Sequence, residues 1–231
     1  MNALRVDDLN FEVKRSSRRR TMQITVDRNG DLILSAPPEV GEARLLDFVR
    51  EKRFWIYTKL AEKDRLQKLA PAKSYVNGEG FMYLGRSYRL KLVDDQRVPL
   101  KLQGGRLLLC TDLAKHGRDH FIRWYSERAK NWLWQRVQDY ADRMEVTPAG
   151  LRVQDLGYRW GSCGKGEWLY FHWKTILLPS RIAEYVVVHE LAHLHQPHHT
   201  PEFWQRVERA MPDYERRKNW LAEHGMTVEG I

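Results

Sequence analysis

The sequence predicts an α+β fold, with strands concentrated in its N-terminal half and helices in its C-terminal half. Three observations predict it. Short alternating apolar runs broken by turn residues fill much of the chain up to Cys110. A helical apolar stripe runs through residues 117–143. A long helix opened by Pro179-Ser180 leads into a helical C-terminal stretch.

Residues 10–35 alternate with period two: Met22, Ile24 and Val26 share one side and Gln23, Thr25 and Asp27 the other. Asn29-Gly30 marks a hairpin turn, Leu32-Ile33-Leu34 begins the return, and Pro37-Pro38 ends it. From Glu42 to Leu69 the spacing of Leu45, Leu46, Val49, Trp55, Ile56 and Leu60 predicts one helix, closed by Pro71. Residues 74–110 return to strands, punctuated by Gly85, Asp94-Asp95 and Gly104-Gly105. The next helix presents Phe121, Trp124, Tyr125, Ala129, Trp132, Leu133, Val137 and Tyr140 on one face, which reads as core packing. Two strands, LRVQDL and EWLYFHW, flank a glycine-rich connection, RWGSCGKG. Ser180 is the expected N-cap of the helix that follows. Helical sequence from Pro201 to Glu223 completes the chain, with Gly225 as a stop. No internal repeat is evident. The chain reads as one unit over 1–231, strand-rich over 1–115 and helix-rich over 116–231.

The 231 residues suffice for a sizeable core, and nine tryptophans argue against disorder. The net charge of +9 favours anionic partners. Cys110 and Cys163 are too few for a disulfide framework and read as reduced thiols of a cytoplasmic protein. No apolar stretch of signal-peptide or membrane-spanning length is present, so no membrane role is expected.

The chemistry concentrates in YVVVHELAHLHQPHHTPEFW, residues 185–204. His189 and His193 are four apart and share one face of a helix, so both imidazoles can reach one ion, for which Zn²⁺ is the natural choice. Glu190, one residue round, can take a proton from a water held at that ion. A catalytic zinc usually has a third protein ligand. His195 lies on the far side of the helix. Pro197 ends the helix near Leu194–Gln196 and lets the chain turn back, leaving His198 and His199, with Glu202 or Glu208 as further alternatives.

RWGSC (159–163), Trp173, LP (178–179), YVVVHELAHL (185–194), HTPEFW (199–204) and PDYERRKNWL (212–221) together resemble the YgjP-like metallohydrolases, a family related to the SprT-like and minimal gluzincin-type proteases. SSRRRTMQITVDRNGDLILSAPPEV and FVREKRFWI extend the resemblance to the N-terminal half. It implies a zincin-like catalytic part over 116–231 and His199 as third zinc ligand, because the family's last histidine precedes a small hydroxyl residue, a proline and the FW pair. Where the family carries Asn-Trp, this chain has His172-Trp173. The resemblance implies hydrolysis of UTP to UMP and pyrophosphate, as assigned to the family's bacterial prototype, or peptide hydrolysis, as the family name says. The positive charge and Arg18-Arg19-Arg20 suit the polyphosphate.

The expected partners are therefore a small anionic substrate such as a nucleotide, or a peptide. Arg159 and Ser162 are candidates for binding it, against a reading in which Gly161 and Gly164 merely shape a tight connection over Trp160. Cys163 reads as a small packing residue rather than a nucleophile. Asp213 and Tyr214 are candidates to orient an imidazole. A nucleic-acid-binding module with structural zinc is a second class of function; a closed site with a fourth protein ligand such as His198 favours it, and an open fourth position counts against it.

Overall fold

The computed structural model describes residues 3–26, 31–68, 73–157, 159–228 and 231. The Asn29-Gly30 turn, Leu69, Pro71 and Tyr158 lie outside the described residues. Mixed α/β architecture is observed: eight strands lie in the first 110 residues and four of the six helices follow residue 116, among the described residues. The chain divides into two compact units, Met1–Ala70 and Pro71–Ile231.

The first unit is one sheet with two helices. Strands β1 (Ala3–Val6), β2 (Leu9–Arg15), β3 (Gln23–Val26) and β4 (Leu32–Ala36) lie in the order β1-β2-β4-β3, with β2 and β4 parallel and the outer pairs antiparallel. Alternation in β2 turns Leu9, Phe11 and Val13 inward. The expected single helix over Glu42–Leu69 is two: α1 (Glu42–Glu51) and α2 (Arg53–Lys68). Lys52 interrupts them with φ −95° and ψ 3°, a bridge-region conformation. That change of direction brings Leu45, Val49 and Ile56 onto one core and leaves Trp55, counted on the apolar stripe, 41% exposed.

The second unit begins with β5 (Gly80–Tyr83), β6 (Arg86–Val93), β7 (Leu100–Gln103) and β8 (Arg106–Cys110), in the order β5-β6-β8-β7. Here too the central pair is parallel and the outer pairs are antiparallel. This sheet therefore repeats the topology of the first. Leu32 and Leu34 of β4 match Leu107 and Leu109 of β8, all four buried and each followed by a helix. The fourfold strand plan is thus used twice in the chain, although no repeat is evident in its sequence.

Helix α3 (Gly117–Met144) buries Phe121, Tyr125, Ala129, Leu133, Val137 and Ala141, four residues apart, while Trp132 and Tyr140 are only partly buried. It stops at Glu145, whose φ is 56°. A third sheet, ordered β10-β11-β9, contains β9 (Gly150–Gln154), β10 (Gly161–Cys163) and β11 (Trp168–His172). The expected glycine-rich connection thus holds a short edge strand, antiparallel to β11.

Helix α4 (Ser180–Ala192) is buried on nearly all sides through Ile182, Ala183, Tyr185, Val186, Val187, Val188, Leu191 and Ala192, as a central helix must be. Ser180 is its first helical residue rather than its cap. Pro179 occupies the boundary, and its carbonyl accepts from the amides of Ile182 and Ala183 at 2.8 and 3.0 Å. Helices α5 (Pro201–Ala210) and α6 (Tyr214–His224) pack against α4. None of the described helices is long and apolar enough to cross a membrane.

Candidate metal centre

The last turn of α4 carries His189 and Glu190, and His193 is its C-terminal boundary residue. The helix ends there. Leu194 and His195 donate back to the carbonyls of Leu191 and Ala192 in a turn, and Pro197 lies just beyond. Chain direction is restored by Thr200, the N-cap of α5, whose Oγ1 accepts the Phe203 amide at 3.4 Å, with Pro201 as first helical residue. This turn-and-cap sequence returns His199 to the face of α4.

The result is one compact group: a ligand atom from each of His189, His193 and His199 lies within 4.8 Å of the others. Nε2 of His199 and Nε2 of His189 approach to 3.0 Å. Nδ1 of His193 is 3.0 Å from the Gln196 carbonyl, which can only accept, so that nitrogen carries the proton and Nε2 keeps its lone pair. Phe203 and Trp204 wall the group, and Trp204 stacks between the His199 and Tyr214 rings. Burial pushes the His189 imidazole down to about 3, assisted by His193, His199 and Lys218. Burial also lowers His193 and His199. Three imidazoles held neutral, two with Nε2 atoms face to face in a half-buried cleft, are a donor set suited to a divalent transition metal.

The alternatives for the third position are placed elsewhere. His195 Nε2 lies 3.0 Å from the Met144 carbonyl, at the end of α3. His198, Glu202 and Glu208 are exposed and stand outside the group. Among the described residues the group therefore has three donors, leaving room for a non-protein ligand, where a structural zinc would require four.

Glu190 is 6% exposed and lines the same cleft. Burial pushes its carboxyl up to about 8, opposed by the Arg159 charge and a hydrogen bond from the Cys163 amide. The cleft has a volume of about 670 Å³, within the size range of small-molecule sites. One wall is the stretch from Arg159 to Lys165, which includes all of β10. Arg159 donates to Ser162 Oγ at 3.2 Å, so the two substrate-binding candidates are brought together at the cleft. Burial and the nearby Glu190 raise the Cys163 thiol, the opposite of an activated nucleophile. Asp213 pairs with Arg217 at 2.9 Å, and the Tyr214 hydroxyl faces Glu215 at 3.4 Å, while the Tyr214 ring stacks on Trp204, which stacks in turn on His199.

His172, where the resemblance implies an asparagine, is held by both of its ring nitrogens. Its Nδ1 accepts the Lys174 amide at 3.0 Å, capping the 3-10 turn Trp173–Leu177, and its Nε2 lies 3.3 Å from Asp155 Oδ1. The Oδ1 of an asparagine would match Nδ1 as acceptor, but its shorter side chain does not reach the position of Nε2, so the Asp155 contact belongs to the histidine. The His172 amide and the Thr175 hydroxyl both donate to the Trp160 carbonyl, at 2.9 and 3.0 Å, which anchors the start of β10.

Residues 20–224 match the family described as YgjP-like, metallopeptidase domain. The chain belongs to this family. As a YgjP-like metallopeptidase-domain protein it is a metal-dependent hydrolase. No curated protein matches it. Among solved structures, the metallopeptidase zymogen abylysin of Pyrococcus abyssi is similar at 23% identity, over 38% of this YgjP-like chain and 86% of that one, with a TM-score of 0.35. A likeness of that size carries no further argument.

Proposed function

We propose that this protein is a zinc-dependent peptidase in which His189, His193 and His199 hold the metal and Glu190 is the general base. The bound ion supplies acidification of water and polarisation of the bond under attack. The chain supplies the rest. The Cys163 amide holds the Glu190 carboxylate at the cleft wall, and that carboxylate accepts the proton of the attacking water and returns it to the leaving group. Arg159, steadied by Ser162, is placed to orient substrate.

Peptide as substrate rests on one observation. β10 is an edge strand that runs along the cleft next to Glu190, and an extended chain can align with such an edge. A second reading, hydrolysis of UTP to UMP and pyrophosphate, is favoured by Arg159 and Lys165, two cations at the same wall. Both use the same base. Zinc-loaded protein is incubated with a peptide library and, separately, with UTP, each beside Glu190→Gln. Cleavage of peptides, reduced about 10²–10⁴-fold by the substitution, is expected. UTP turnover with no peptide cleavage selects the second reading. Full turnover by Glu190→Gln with metal bound removes Glu190 as base in both.

A further inference from the structure

The residue opposite the base is Gly161, in the middle of the cleft wall and at the start of β10. A Cβ built on it would lie 2.6 Å from Glu190 Cγ, 2.6 Å from Glu190 Oε1 and 2.8 Å from Glu190 Cδ. Real Cβ atoms essentially never approach so closely, and here the whole carboxyl end would be touched, not a free tip. The Gly161 backbone is not in the left-handed region, so alanine is excluded by space alone.

From this contact we infer that Gly161 is a positioning residue for Glu190: the missing side chain makes the slot in which the carboxyl lies against β10, within reach of the Cys163 amide. This rests on the reading of Glu190 as the base. Glu190 is buried on α4, and its slot is closed on the opposite side by the edge strand. β10 is itself fixed from behind, through the His172 and Thr175 bonds to Trp160 and the Gly164 amide bond to the Trp168 carbonyl at 2.8 Å. The strand therefore cannot retreat freely from an added methyl group. The carboxyl must rotate away, and it then gives up the Cys163 amide and its bearing on the reacting bond. The carboxylate contact is steric on one residue and electrostatic two residues later, so β10 acts as a template for the base.

The test is a cycle of Gly161→Ala, Glu190→Ala and the double variant, on full-length protein. Gly161→Ala is expected to lower the thermal midpoint of metal-free protein by about 4 °C or more. In the Glu190→Ala background the same substitution should cost less than about 1 °C, because the methyl group then enters the vacated space. Zinc affinity, read by chelator competition, should change less than threefold in Gly161→Ala. Turnover, on the peptide library or UTP, should fall about 10–100-fold in kcat with KM nearly unchanged, since a small misplacement of a reacting group is costly. An equal loss of midpoint in both backgrounds, or an unchanged kcat in Gly161→Ala, overturns the inference. Retained turnover in Glu190→Gln would instead overturn the base assignment, while the stability cycle still reports whether Gly161 makes the slot.

Discussion

The buried carboxyl of Glu190 makes a prediction about stability that requires no substrate. Glu190 is 6% exposed, and burial pushes its pKa from 4.5 up to about 8. A carboxyl raised on folding stabilises the folded state while protonated, fully so below about pH 4.5. It loses that contribution as the pH rises toward 8. Each pH unit between the two values is worth about 1.36 kcal/mol, so the folded protein loses on the order of 4–5 kcal/mol across this window. Glutamine keeps the shape and the acceptor for the Cys163 amide but carries no charge. Metal-free Glu190→Gln should therefore match the parent near pH 4.5 and exceed it by several kcal/mol at pH 8. The assay is urea unfolding of both proteins in chelator at pH 4.5, 6, 7 and 8. Added zinc places a cation beside the carboxylate and should shrink the difference at pH 8. Identical stability of the two metal-free proteins throughout would refute the account of Glu190 as a charge held at a cost for function.

Other expectations follow from the same geometry. His199→Ala should lower zinc affinity at least 10²-fold in chelator competition, whereas His198→Ala, exposed and outside the group, should leave it within about twofold. His172→Asn should keep the Lys174 link through Oδ1 but lose the one to the exposed Asp155, because Nδ2 falls short of the Nε2 position, and should cost under about 1 kcal/mol in denaturant unfolding, while His172→Ala should cost about 1–3 kcal/mol by also removing the acceptor of the part-buried Lys174 amide. Thr200→Ala should cost about 1 kcal/mol of stability through loss of the α5 cap. Because that cap also returns His199 to α4, zinc affinity should fall as well. A variant stable and fully competent for zinc would show that His199 is held by Phe203 and Trp204 packing alone.

What the sequence shows about this site follows from how local each signal is. His189, Glu190 and His193 are legible because their placement depends on one helical turn. His199 is legible only through the motif that follows it, since spacing leaves His198 equally open until the Thr200 cap sets the direction of the chain. Gly161 is legible as a turn-forming glycine, but its contact with Glu190 is not. Its role depends on a contact with Glu190, 29 residues further along the chain, across a three-residue strand too short to show alternation. The break at Lys52 has no glycine or proline to announce it, so the apolar spacing reads as one helix. The doubled sheet plan is hidden for another reason. Topology needs only that Leu32, Leu34, Leu107 and Leu109 be apolar, which is too weak a demand to leave a recognisable repeat.

The placement of the imidazoles at the end of α4 has an electrostatic consequence. Carbonyls of a last helical turn lack amide partners along the helix and together carry about half a negative charge. His189 lies in that turn and His193 at its boundary, so the backbone places its negative end beside these imidazoles. A cation arriving there is welcomed before any side chain binds it, and a polyphosphate is repelled. Positive charge that can draw an anionic substrate stands on both sides: Arg159 and Lys165 on the β10 wall, and Lys218 over Trp204, whose charge acts on His189 and His199. The cleft thus pairs a negative helix end with a rim of cations, an arrangement suited to a substrate with a neutral reacting group and an anionic flank.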